Sequence, residues 1–317
     1  MDEQSSRRIA VLGEALIDRF PHADVIGGAP FNVARNLALL GASPVMITRI
    51  GTDALGDSIA AEFVRFGMDT RGLQRDATHG TGMVAVRMSG TQHRFEIGAI
   101  SAWDYLDAGE AVRVVRESAP VLSYFGTLAQ RGAVSRDAIR AALCASDGVP
   151  FLDLNLRDGP DNLTLAEDAL SRAKIVKIND DELVQLAAWF VQPGPMALRA
   201  ALETLVARFD LQRATVTRGA DGWACLDANH GWFEGAAPPV AVCDTVGAGD
   251  AFAAVLLLGE LAGWSVPVTL HRAAAHASAV CGIAGAVDAV SGIYARARAA
   301  WTVGAADVPA PMGVGCT

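Results

Sequence analysis

Short, β-rich apolar runs alternate with longer stretches of helical periodicity along most of the chain, and this alternation limits the fold more than any other feature. Residues 8–13 (RIAVLG) and 44–51 (PVMITRIG) read as buried strands. Between them, NVARNLALLGA places apolar residues at helical spacing and ends on Gly41, where a C-terminal cap belongs. Further strands are expected at 121–125, 151–154, 175–178, 214–217 and 223–226. Helices are expected at 56–66, 133–144, 195–209, 251–262 and 268–281. Strands separated by helices of this length build a mostly parallel sheet covered on both faces. Ligands of such sheets gather at the carboxyl ends of the strands.

One stretch breaks the pattern. TGMVAVRMSGTQHRFEIG (81–98) reads as strand, turn, strand, with the bend at Ser89-Gly90 and polar residues interleaved. A sheet with one wet face fits it, as a small β appendage joined by residues 15–26.

Composition narrows the function classes. Hydrophobic residues make up 51% and charged residues 19% of the 317, the balance of an ordered globular protein. The net charge of −9, with no run of Lys and Arg, argues against a nucleic-acid or anionic-membrane surface. The five cysteines are scattered, with no CxxC pair and no histidines at metal-ligand spacing. The N-terminus lacks the long apolar stretch of a signal peptide, and the longest apolar run is far below the roughly 20 residues that cross a bilayer. Reduced thiols in a cytoplasmic protein are the expectation.

The most informative segment is CDTVGAGDAF (243–252). A polar strand end runs into Gly247-Ala248-Gly249, then Asp250, then an apolar helix. Small residues at a helix start let backbone N–H groups converge on one point, and the helix dipole adds to the field there. A carboxylate beside such an anion site has one fitting task, accepting a proton from a hydroxyl that attacks phosphorus. An ordinary helix start, with Asp250 as N-cap, would look the same. The segment is not a Walker loop, since the Lys-Ser/Thr ending is missing. No GxGxxG follows the first strand, which disfavours a nicotinamide oxidoreductase.

DTVGAGDAF resembles the C-terminal signature of the ribokinase-like (PfkB) sugar kinases. GGAPFNVA (27–34) resembles their N-terminal signature, at about the family's separation. The resemblance extends over nearly the whole chain and is strongest to fructokinases. It implies an α/β, ribokinase-like three-layer αβα domain (1–14, 27–80 and 104–317) with a mostly parallel sheet and a small β lid (15–26 and 81–103). It also implies ATP and Mg²⁺ as cofactors.

Residue by residue, the resemblance makes Asp250 the catalytic base and Gly247, Ala248 and Gly249 the anion hole. Asp18 in GEALID, Gly28 and Asn32 would hold the sugar, and acceptors and amides suit a neutral polyol. A surface Asp18 and a helix-capping Asn32 are the plain alternatives. Asp153, Asn155 and Arg157 in DLNLR match a trio at a strand's carboxyl end. Arg157 would neutralise phosphate charge, or simply pair with Asp158 or Asp161. Asn179 and Glu182 in NDDE match an NxxE motif that orders water around Mg²⁺, although an ordinary helix start has the same residues. Thr217, Gly219 and Gly222 match a turn beneath the nucleotide. His276 and Gly285 fall near the adenine pocket, with a core or surface histidine as the alternative. Asp244 falls where some members bind a monovalent cation such as K⁺. Trp103, before Asp104, would cover the sugar.

The activity so implied is phosphorylation of a small sugar, with fructose to fructose 6-phosphate first. 2-Keto-3-deoxygluconate, then ribose or a nucleoside, are the rivals. A non-catalytic, sugar-responsive binding protein on the same fold is the reading from a different class. A homodimer through the lid is compatible with the insertion, but nothing in its residues demands it.

Overall fold

The computed structural model describes residues 8–89, 92–157, 159, 161–191 and 197–303. The chain opens with β1 (Ile9–Leu12), β2 (Leu16–Arg19), β3 (Asp24–Gly27), α1 (Ala29–Leu39), β4 (Pro44–Gly51), α2 (Ala54–Arg65) and β5 (Leu73–Asp76). β6 (Met83–Ser89), β7 (Gln92–Ile97), α3 (Ala108–Ser118), β8 (Leu122–Phe125), α4 (Ala133–Cys144) and β9 (Val149–Asp153) follow. Then come α5 (Asn162–Arg172), β10 (Ile175–Asn179), α6 (Asp180–Phe190), α7 (Leu198–Phe209) and β11 (Arg213–Thr217). β12 (Trp223–Asp227), β13 (Gly231–Gly235), α8 (Ala248–Ala262), α9 (Val266–Cys281) and α10 (Ile293–Val303) complete it.

Nine strands form one sheet in the order β13-β12-β11-β10-β9-β8-β1-β4-β5. From β5 to β11 every pairing is parallel; β12 and β13 turn back antiparallel at one edge. Alternate residues of each strand face opposite layers, as the pleat requires. Ala10 and Leu12 point into a core with α3 to α7, whereas Ile9 and Val11 point into a core with α1, α8 and α9. Both layers are sealed, which is why the strands read as near-continuous apolar runs. This is the three-layer αβα architecture expected from the alternation.

A second sheet of four strands, β3-β2-β6-β7, stands apart from the first. β6 and β7 pair antiparallel, and β2 pairs β6 in parallel. Gly90 of the expected bend lies outside the described residues.

Several expected boundaries move. α8 begins at Ala248 rather than Ala251, placing Ala248-Gly249 in its first turn. α9 begins at Val266, because Pro267 is tolerated in a first turn that needs no amide donor. The helix expected from 195 is seen from Leu198, and residues 192–196 lie outside the described residues. Gly41, at φ +93°, follows the Leu40 C-cap of α1, as its residue type suggests.

α8 and α9 cross closely at Gly259. A β-carbon there would lie 2.3 Å from the Thr269 methyl and 2.5 Å from its hydroxyl. Gly259→Ala is therefore expected to lower stability by about 1–3 kcal/mol despite alanine's better helix propensity. A urea denaturation midpoint at or above that of the parent would contradict the close packing.

Candidate active site

The site is built where the first turn of α8 meets the carboxyl ends of β1, β9 and β10 and the start of α1. Gly247 is the N-cap of α8 with φ +79°, and a β-carbon there would come within 2.4 Å of Ala286. Only glycine satisfies both conditions. No side chain caps the helix. The amides of Gly249 and Asp250, in the first turn, have no carbonyl four residues back to receive them. Free donors and the helix dipole suit this turn to receiving an anion.

Asp250 is not the N-cap. It sits in the first turn, and its Oδ2 accepts a 2.7 Å hydrogen bond from Asn32 Nδ2. The amide oxygen of Asn32 accepts in turn from Arg35 Nη2 at 2.5 Å, and the same nitrogen donates to the Ile26 carbonyl at 2.9 Å. Burial pushes the Asp250 carboxyl up to about 6; the Asn32 hydrogen bond opposes that, Asp153 adds to it, and Lys177 and Arg157 pull down.

Asp18 lies against Gly27, where an added β-carbon would be 2.2 Å from Oδ2. Burial raises it to about 6 as well, with Arg157 and Arg35 acting in opposition. Gly28, at φ +100°, is the N-cap of α1 and delivers Asn32 to the same place. Asp18, Asn32 and Asp250 thus all come within reach of the Arg35 guanidinium, although 232 residues separate the first from the last.

Asp153 ends β9 fully buried, its Oδ1 taking 2.9 Å from Lys177 Nζ and its Oδ2 3.3 Å from the Tyr124 hydroxyl. Asn155 adopts φ +43°, uncommon for a residue with a β-carbon, at the bend that carries the chain to Arg157. Arg157 is exposed and acts electrostatically on Glu14, Asp18 and Asp250. No ion pair joins it to Asp161 among the described residues, and Asp158 lies outside them. Thr217, Gly219 and Gly222 form the turn between β11 and β12. Gly222, at φ +87°, approaches the backbone of Gly235. Asp244 binds the Val246 amide through Oδ1 and the Gly285 amide through Oδ2, both at 3.0 Å, joining two loops beside the anion site.

Three expectations are corrected by burial. Trp103 is fully buried; it packs on Gly82 with Arg131 stacked 4.1 Å above its ring, so it has no face to offer a sugar. Arg131 also grips Asp104 at 2.7 and 2.8 Å, fixing this short helix to the core. His276 sits in the core against Tyr294 and Trp301, and burial pushes it down to about 4. It points away from the exposed small-residue face of α9, which carries Ala275 and leads to Gly282. Glu182 forms a capping box with Asn179: one oxygen accepts from the Asn179 amide and the other from the Leu156 amide, each at 2.8 Å. It anchors the loop leading to Arg157 instead of facing a hydrated ion. No cluster of three or more His, Cys, Asp or Glu able to hold a metal occurs among the described residues.

Three side chains of the site had not been expected. Lys177 is buried beside Asp153, Arg35 supports Asn32, and Glu14 is buried with one oxygen unpartnered. Burial pushes Glu14 up to about 7. A lysine inside the apolar run IVKIN, and a glutamate directly after RIAVLG, were the available signals.

With this geometry in view, comparison with known proteins is consistent across methods. Residues 22–291 match the profile of the pfkB family carbohydrate kinases. The fructokinase of Klebsiella pneumoniae is 30% identical over 278 residues, covering 83% of this chain and 87% of its own. A fructokinase structure from Xylella fastidiosa with bound ATP superposes with a TM-score of 0.81 at 24% identity, covering 93% of this chain and 99% of that one. A Vibrio cholerae fructokinase bound to fructose, ADP and calcium gives 0.76 at 25% identity, covering 92% and 99%.

The Asn32 amide should be the main force holding Asp250 ionised. Asn32→Ala is expected to raise the Asp250 pKa by roughly one unit or more, followed by carbon-13 NMR titration of the carboxyl. An unchanged or lowered value would show that the bond has no such effect.

Proposed function

The chain belongs to the pfkB family of carbohydrate kinases, and from that premise we propose that it transfers the γ-phosphoryl group of ATP to a hydroxyl of a small sugar, most simply fructose to give fructose 6-phosphate. The observation that carries the proposal is the pairing of an uncapped helix N-terminus with a carboxylate poised beside it.

In this reading the sugar lies against Asp18, Gly28 and Asn32, with its reacting hydroxyl toward the Asp250 carboxylate that Asn32 holds. Asp250 accepts the proton of the attacking hydroxyl as oxygen bonds to phosphorus and the β–γ bridging oxygen departs with ADP. The Gly247–Gly249 turn and Arg157 spread the charge on the transferring group, the main task of a phosphoryl-transfer site. The loop anchored by Asp244 and the turn at Gly219–Gly222 border the nucleotide. Mg²⁺ enters as part of the Mg·ATP substrate, since it keeps several of its waters and needs no protein cage. Closure of the four-stranded sheet would exclude water from the bound nucleotide. No described helix is long and apolar enough to cross a membrane, and a cytoplasmic enzyme is part of the same proposal.

Fructose is favoured over ribose or 2-keto-3-deoxygluconate by the segments GGAPFNVA and SAWD and by the fructokinases among the relatives. A coupled ADP-release assay across a panel of sugars with Mg·ATP tests this choice. Fructose should give the highest kcat/KM, and a preference for another sugar reassigns the substrate. If no sugar releases ADP while sugars still bind, the chain is a binding protein on a kinase fold.

Asp250→Asn is expected to lower kcat by several orders of magnitude while sugar and ATP binding by calorimetry stay within a few-fold. The base acts in its ionised form, and burial sets its pKa near 6. Activity should therefore be full above that pH and fall as the pH drops through it. Normal turnover by the variant, or a rate independent of pH from 5 to 8, would remove Asp250 from the mechanism.

A further inference from the structure

Lys177 is a buried charge to which the mechanism above gives no work. Its Nζ contacts Asp153 Oδ1 at 2.9 Å, with the lysine side chain 8% and the aspartate 1% exposed. On its far side it meets the first turn of α8, where a β-carbon added to Gly249 would lie 3.4 Å from Nζ. The ammonium is thus wedged between a carboxylate at the end of β9 and the back of the anion site.

Asp250 is faced by charged or titratable groups from every element around it. These are Glu14 after β1, Arg35 on α1, Tyr124 on β8, Asp153 on β9, Arg157 beyond it, and Lys177 on β10. Glu182 acts on the same lysine. Four carboxyl groups, Glu14, Asp153, Glu182 and Asp250, therefore share one desolvated region. Crowded carboxylates of this kind take up protons unless a cation offsets them. Arg35 is committed to Asn32, Ile26 and Glu62, and Arg157 is exposed at the mouth. Among the described residues, the only ion pair made by any of the four is the one between Asp153 and Lys177.

Resting on the sugar-kinase reading, we propose that Lys177 is a positioning residue: its ammonium, fixed by Asp153 behind Gly249, keeps Asp250 ionised and supplies permanent positive charge beneath the phosphoryl site. It acts through space and need not touch the reacting atoms. Burial alone would lower the lysine's affinity for its proton, but Asp153, Glu182 and Asp250 outweigh it and hold it charged. A fixed charge in a dry site costs no reorganisation when the reaction occurs.

The test is the pH dependence of kcat/KM, with Mg·ATP and the preferred sugar, for the parent enzyme, Lys177→Met, Asp153→Asn and the double variant. Lys177→Met should move the acid limb up by about one pH unit and lower the plateau roughly tenfold or more. Asp153→Asn should move the limb down, since a negative neighbour of Asp250 is lost. The double variant, with both charges gone, should return the midpoint to within a few tenths of a unit of the parent. A purely structural lysine would lower the melting temperature and leave the midpoint in place, and that result overturns the proposal. Should Lys177→Met fail to fold, Lys177→Gln takes its place: an unmoved midpoint there overturns the proposal as well. Asp250→Asn, run alongside, separates the two levels. If it turns over normally, the reading of Asp250 as base has failed and takes this proposal with it. If it is inactive and the limbs coincide, only the role of Lys177 has failed.

Discussion

One hydrogen bond, from the Asn32 amide to the Asp250 carboxylate, joins segments 218 residues apart and organises the site around it. It fixes α1 against the first turn of α8 and sets the angle at which the carboxylate faces the cleft. It also supplies the strongest opposing effect to a burial that would otherwise protonate the group. Without the buried Asn32 the same burial would leave a neutral acid beside an anion site. The geometry around it follows from residue size: Gly28 lets α1 begin where it does, and Gly247 lets α8 begin against Ala286.

The architecture was legible because its signals are local. The central strands of the large sheet are buried on both faces, so their apolar runs stand out, whereas the edge strands β5 and β13 are partly exposed and carry no such run. The strand–turn–strand reading of the insertion corresponds to the antiparallel pairing of β6 with β7. Boundaries were less legible. The start of α8 is set by Gly247 in a left-handed conformation packed on Ala286, a tertiary contact that no periodicity records. Ala248-Gly249 reads as loop when it is the first turn of the helix.

Site residues divide along the same line. Asp250, Asn32, Gly28 and Gly247 belong to short signatures whose residue types have few alternative uses together, and they converge. Trp103 and His276 were placed by position in the chain, and both are core. An aromatic ring in a sequence does not say whether it faces the core or the surface; that depends on packing with Gly82 in one case and Tyr294 in the other. Glu182 shows a subtler limit. Its motif is present, but both oxygens are taken by backbone amides, so its part is to hold the approach to Arg157. Lys177 was overlooked because a lone charge within a strand carries no motif.

The Arg35 guanidinium gives the small sheet a mechanical connection to the chemistry. A single nitrogen serves both the carbonyl of Ile26, in β3, and the side-chain oxygen of Asn32. Sliding β3 along α1 must lengthen one of those bonds or drag the guanidinium with it, and either change reaches the donor that faces Asp250. Proton affinity at the carboxylate is therefore partly a readout of strand position: the small sheet and the acid–base strength of Asp250 are coupled through one nitrogen atom.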